Sequence, residues 1–161
     1  GFTIGCTDCG RIYHHSLKVP ETLGFVVLIP DFTLPTDKSR SVLPATVKMS
    51  DAVHNLSRAA MVVSSILTGE LKKLTIAVDD RLHEPYRKPL IPDFDKLKSK
   101  AYDLGAYAAC ISGAGPSILC LVHNDSAEGF VLRINEFIKE NAPRWRAVRL
   151  YPANGARVEV V

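Results

Sequence analysis

Apolar residues recur along the chain in two rhythms, and the change from one to the other sets the elements. Short unbroken runs mark buried strands: Leu23 to Ile29, ended by Pro30 and Asp31, then Tyr107 to Ile111, Ile118 to Val122, and Arg146 to Tyr151. A last strand is predicted over Ala156 to Val161, where Val158 and Val160 alternate with Arg157 and Glu159 after a turn at Pro152-Ala153-Asn154-Gly155. Gly1 to Leu17 reads as a polar hairpin. Helical spacing appears in Val53, Leu56, Ala60, Val63 and Leu67, with Ser50 as N-cap and Gly69 as the stop. A shorter helix is predicted from Glu70 to about Asp80, with Leu71, Leu74 and Val78 on one face. A third runs from Pro92 to Leu104 with Phe94, Leu97 and Ala101 inside and Gly105 just past its end. A fourth runs from Ser126 to about Asn141, facing Ala127, Phe130, Ile134 and Phe137 inward. Phe32 to Ala45, punctuated by prolines, reads as a structured loop with a helical turn near Lys38 to Val42. Strands and helices mixed without strict βαβ alternation predict an α+β fold, in its most economical form a ferredoxin-like sandwich with helices packed on one face of a mostly antiparallel sheet.

Composition narrows the class. The chain has 161 residues, 47% hydrophobic and 23% charged, enough for one globular core. A net charge of +3, with Lys and Arg scattered, argues against a nucleic-acid partner. The absence of a long apolar run argues against a membrane span, so a soluble, cytoplasmic protein is expected. Cys110 and Cys120 sit inside apolar strands and read as small hydrophobes. Cys6 and Cys9 form a C-x-x-C beside His14 and His15, but the spacing suits neither a zinc pair nor a redox helix start, and a hairpin turn marked by Asp8 and Gly10 is preferred. The chain opens on strand-like residues without an initiator Met, which suggests a piece of something longer.

The candidate chemistry lies in loops. Gly113 and Gly115 flank Ala114 and precede Pro116, between two strands. Such a turn can take positive φ and aim backbone amides at an anion, or it can be a plain β-turn; no helix follows, so neither a Walker loop nor a dinucleotide fingerprint is matched. Residues Asp79 to Arg87 form a second loop, dense in charge and broken by Pro85, which cannot continue a regular helix.

Three stretches together resemble a known family. Pro35-Thr36-Asp37-Lys38-Ser39-Arg40-Ser41-Val42-Leu43-Pro44, then Asp80-Arg81-Leu82-His83-Glu84-Pro85-Tyr86-Arg87, then Ile111-Ser112-Gly113-Ala114-Gly115-Pro116-Ser117 are similar, in this order, to homoserine kinases. These belong to the superfamily of galactokinase, homoserine kinase, mevalonate kinase and phosphomevalonate kinase. The resemblance spans nearly all of the chain but only the second half of the family's length; the family's Pro-x-x-x-Gly-Leu-Gly-Ser-Ser-Ala phosphate loop has no counterpart in it.

The resemblance implies phosphoryl transfer from Mg²⁺·ATP to the hydroxyl of L-homoserine, in threonine biosynthesis. Residues 1–20 would be a strand or hairpin remnant of a missing N-terminal half, and residues 21–161 the substrate-binding domain. Arg40 and Arg87 would hold the homoserine carboxylate, as a guanidinium fork suits. Thr36 would bring a hydroxyl near the reacting end, or serve only as a helix cap. Ser112, Gly113, Ala114, Gly115, Pro116 and Ser117 would support the phosphate loop of the other half. Glu84 is expected to orient Arg87, and His83 to be a half-buried loop residue. No residue of this chain is expected to do catalysis itself, to bind a metal, or to hold ATP or Mg²⁺ alone. The partners implied are homoserine, ATP and the N-terminal half, with a homodimer compatible.

Three rivals stand beside this reading. Another small-molecule kinase of the superfamily is one, against which the paired arginines speak. A ferredoxin-like amino-acid-binding regulatory module is a second; it would bind amino acids in isolation. A C-x-x-C redox or zinc protein is the third.

Overall fold

The computed structural model describes residues 1–153. The strand predicted over 156–161 and the end of the turn before it lie outside the described residues. The first element is a hairpin of β1 (Phe2–Asp8) and β2 (Arg11–Leu17), joined by Cys9 and Gly10. Both turn residues take positive φ, 47° and 76°, the primed geometry that matches the twist of two closely joined strands. The C-x-x-C therefore straddles a tight turn and opens no helix.

The main sheet contains β3 (Leu23–Pro30), β4 (Ala108–Ile111), β5 (Ile118–His123) and β6 (Trp145–Leu150) in the order β4-β5-β3-β6, every pairing antiparallel. This is the ferredoxin-like order: β3 and β4 run parallel with β5 between them, joined by a long crossover. Register puts Val26 opposite Cys120 and Leu28 opposite Ile118. Because side chains alternate along a strand, all four point to one face. Helices α5 (Phe94–Asp103) and α6 (Ala127–Asn141) cover that face with Phe94, Leu97 and Ala101, and with Ala127, Phe130, Ile134 and Ile138. Each large side chain fully buried there contributes about 2 kcal/mol of apolar transfer free energy.

The crossover between β3 and β4 holds the elements that matter for function: α1 (Thr36–Ser41), α2 (Met49–Thr68), α3 (Leu74–Ala77) and α4 (Glu84–Arg87). In addition to the predicted layer, α2 and α3 lean on the second face of the sheet, where Val62, Leu74 and Val78 meet Leu23, Phe25, Ala108 and Leu121.

Several boundaries differ from the sequence expectation. The helical turn in the proline loop starts at Thr36, two residues early. Helix α2 starts at Met49 with Lys48 as cap, so Ser50 lies inside it; Gly69 ends it with φ 74° as expected. The apolar spacing that marks this helix lies largely on its outer side: Val53, Leu56 and Leu67 are 58%, 73% and 61% exposed, while Ser65 and Ile66 are buried. The helix predicted over 70–80 divides into a 3₁₀ turn at Leu71–Lys73 and α3. The helix predicted from Pro92 begins at Phe94, after Asp93 at φ 62°. Pro85 proves compatible with a helix, because it sits in the first turn of α4, where its missing N–H has no intrahelical partner to lose.

Cys110 and Cys120 lie in the sheet, and burial pushes their thiols up to about 11 and about 12. Cys6 and Cys9 are exposed. At pH 8 a thiol reagent is therefore expected to modify two of the four cysteines in the native protein and all four in denaturant. Fast native modification of all four, read by mass spectrometry, would contradict this packing.

Candidate functional site

Two helical segments of the crossover and the glycine turn meet at one corner of the sheet. Arg87, the last residue of α4, is half-buried and donates from Nε to the Ser39 carbonyl at 3.2 Å and from Nη1 to the Gly113 carbonyl at 3.0 Å. Ser39, fully buried in α1, donates its hydroxyl to the Ala114 carbonyl at 2.5 Å. One guanidinium and one hydroxyl thus tie α1, α4 and residues 112–117 into a triangle, although these residues lie up to 75 positions apart in sequence.

The turn itself is closed from Ser112 N to Ser117 O at 2.8 Å and from Gly115 N to Ser112 O at 2.9 Å. Gly113 and Gly115 take φ of 58° and 87°, and the Gly115-Pro116 peptide is cis. Ser112 and Gly113 are exposed at the tip, whereas Ala114, Gly115, Pro116 and Ser117 are half-buried. Two of the turn's amides are thus occupied within the turn, which narrows any anion cradle there to the others.

Arg40 adjoins the buried Ser39 but is itself exposed, and among the described residues its side chain makes no hydrogen bond or ion pair. Thr36 lies one helical turn before it, also exposed and on the same face of α1. The structure therefore brings α1, with Thr36 and Arg40, beside Arg87 and the turn. It forms no direct bond between the two arginines. Of the five N–H donors on Arg87 two are committed to carbonyls, leaving three for a ligand.

Glu84 does not orient Arg87. Its carboxylate is buried and ion-paired with Lys98 of α5, a helix whose register could not be inferred from the loop alone. His83 is half-buried, as expected, with Nε2 3.6 Å from Asp80. Three other polar residues, Ser39, Asn55 and Asp80, were given no role in the sequence reading. Asp80 accepts from the backbone amides of His83 at 2.8 Å and Glu84 at 2.5 Å, and from Asn55 Nδ2 at 2.5 Å. Burial pushes the Asp80 carboxyl up, yet the amides of Glu84 and His83 and the Asn55 side chain outweigh it and hold the group below the usual range. Nothing local marked Ser39 or Asn55.

Chemically, the corner offers one unpaired guanidinium, one partly committed guanidinium and a hydroxyl around a rigid turn. Such a set can hold a small carboxylate. Among the described residues there is no group of three His, Cys, Asp or Glu that could hold a metal ion. No helix among them is long and apolar enough to cross a membrane.

Comparison with known proteins agrees with this architecture. Residues 63–140 match the family described as GHMP kinases C terminal. A homoserine kinase of Clostridium botulinum is 34% identical over 158 residues, 98% of this chain and 53% of the relative. One of Caldicellulosiruptor saccharolyticus is 44% identical over 122 residues, 76% of this chain and 40% of the relative. The crystal structure of homoserine kinase from Cytophaga hutchinsonii superposes with a TM-score of 0.76 at 28% identity, covering 86% of this chain and 44% of that one. The chain spans about half the length of the curated relatives it matches. The chain carries a GHMP kinase C-terminal domain, and over most of its length it is homologous to about half the length of the homoserine kinases.

Proposed function

We propose that this chain is the amino-acid-holding part of an ATP-dependent homoserine kinase, which converts homoserine and ATP to O-phosphohomoserine and ADP in threonine biosynthesis. The observation that carries the reading is the convergence of Arg87 on both Ser39, next to Arg40, and Gly113 in the glycine turn. In this reading Arg40 and the uncommitted donors of Arg87 bind the substrate carboxylate. Thr36 lies toward the reacting end. The turn at residues 112–117 buttresses a phosphate loop supplied by the N-terminal half of the protein. Phosphoryl transfer leans on positioning and electrostatics more than on covalent chemistry, so a clamp at the far end of the substrate raises the rate by fixing where the hydroxyl sits.

No phosphate-loop motif of the family's kind occurs in this sequence, and in this reading the N-terminal half of the protein supplies that loop and the Mg²⁺ site. The fragment alone is inactive in this reading. Nearly every residue of the β1–β2 hairpin is exposed, which supports its completion by the N-terminal half. A cytoplasmic place fits an enzyme of small metabolites, and a homodimer is compatible with it. The full-length protein is expected to release ADP in a coupled assay with homoserine and not with mevalonate. Turnover with mevalonate alone, or with neither, would overturn the assignment.

A further inference from the structure

The geometry points to Asn55 and Asp80 as a matched pair of positioning residues that set where Arg87 stands, through the polypeptide between them and α4. This rests on the assignment of Arg87 to the homoserine carboxylate. Helix α4 is only four residues long, too short to hold itself together by its own backbone bonds. Its N-terminal amides are taken instead by one carboxylate: Asp80 Oδ2 accepts from His83 N and Glu84 N, and Asp80 Oδ1 accepts from Leu82 N at 3.3 Å. That carboxylate is fixed in turn by Asn55, on the inner side of α2. Asn55 Nδ2 donates to Asp80 Oδ1, and its Oδ1 accepts from the backbone N–H of Arg81 at 2.9 Å.

The Asn55 amide therefore reads both members of the Asp80-Arg81 step, with its donor on the acid and its acceptor on the following amide. This polarity is the only one that satisfies all partners, since a carboxylate accepts only and a backbone N–H donates only. It also explains why a polar residue stands on the sheet side of α2 while apolar ones face out. Neither side chain lies among the groups assigned to the substrate. What they fix is the start of a segment that ends, one helical turn later, at a guanidinium bonded to two other loops. The buried ion pair from Glu84 to Lys98 fastens the same turn to α5.

The test uses the full-length enzyme. With Asp80→Asn the new amide meets the amide of Asn55 donor to donor, and with Asn55→Asp two carboxylates face each other. Each single change is expected to raise the KM for homoserine roughly tenfold or more while sparing that for ATP. The exchange of both, Asn55→Asp with Asp80→Asn, restores the link between the two side chains: the amide at position 80 donates to the carboxylate at 55 and its carbonyl still accepts from His83 and Glu84, so that only the long bond from Leu82 N, 3.3 Å, is given up. The double variant is expected to return to within about threefold of the parent enzyme, a rescue that simple additivity does not give. Unchanged homoserine KM in both single variants, or a double variant no better than the worse single one, overturns the inference. Parent-enzyme turnover and Arg87→Lys are measured first, because failure there strikes the functional assignment instead. Protection of the His83 and Glu84 amides from hydrogen exchange, lowered in Asp80→Asn as the donor–donor clash with Asn55 displaces the side chain at position 80 and regained in the exchange variant, tests the pair without any substrate; unchanged protection overturns it on that side too.

Discussion

Arg87→Lys in the full-length enzyme is expected to raise the KM for homoserine by about a hundredfold while leaving that for ATP within about twofold. Lysine keeps the charge, so a loss of this size measures geometry. The guanidinium bonds the Ser39 carbonyl from Nε and the Gly113 carbonyl from Nη1, and in the proposed function it would offer its remaining donors to the substrate carboxylate. An ammonium is a compact point donor and cannot span two carbonyls from separate loops while presenting a flat edge to a carboxylate. Each charge-assisted bond lost is worth about 1.5–3 kcal/mol, so one or two account for the hundredfold. Equal homoserine KM in the parent enzyme and the variant would remove Arg87 from the site.

Gly115→Ala should cut deepest into stability, by about 2–3 kcal/mol, and with it the shape of the turn. At φ 87° a side chain is strained whatever space surrounds it. Here space is also short: a Cβ would stand 3.1 Å from Ile91 Cδ1 and 3.2 Å from Ile111 Cγ2, both on buried residues. Gly113, at φ 58° with nothing within 4 Å of a built Cβ, separates the two causes. Gly113→Ala should cost only the backbone term, about 1 kcal/mol. Thermal denaturation that ranked the two variants equally would show that the packing against Ile91 and Ile111 is looser than it stands here.

Much of this molecule was legible before any coordinates. The strands around the glycine turn, β3, α5 and α6 are each specified locally, by an unbroken apolar run or by one apolar stripe, and they fell where periodicity put them within a residue or two. The three strands among them, together with β6, make up the ferredoxin-like sheet. The orientation of α2 was not legible, because that helix carries apolar residues on two sides, and spacing finds a stripe without saying which neighbour covers it. Val53, Leu56 and Leu67 lost to a face holding Asn55, Val62 and Ile66. The reason becomes visible only in three dimensions: Asn55 must meet Asp80, 25 residues on. Likewise Glu84, read as the partner of Arg87 three residues away, goes to Lys98 fourteen residues away, while Arg87 is taken by the carbonyls of Ser39 and Gly113. The arginines themselves were found through resemblance, and Ser39, which fixes α1 against the turn, had no local signature at all.

The acceptors that gather the three loops are main-chain oxygens of Ser39, Gly113 and Ala114. Every amino acid carries such an oxygen, so the scaffold is indifferent to what sits at the exposed neighbours Thr36, Arg40, Ser112 or Ser41. Those positions can change while the corner on which they are mounted keeps its form. A scaffold built in this way tolerates new side chains at its rim without losing its shape.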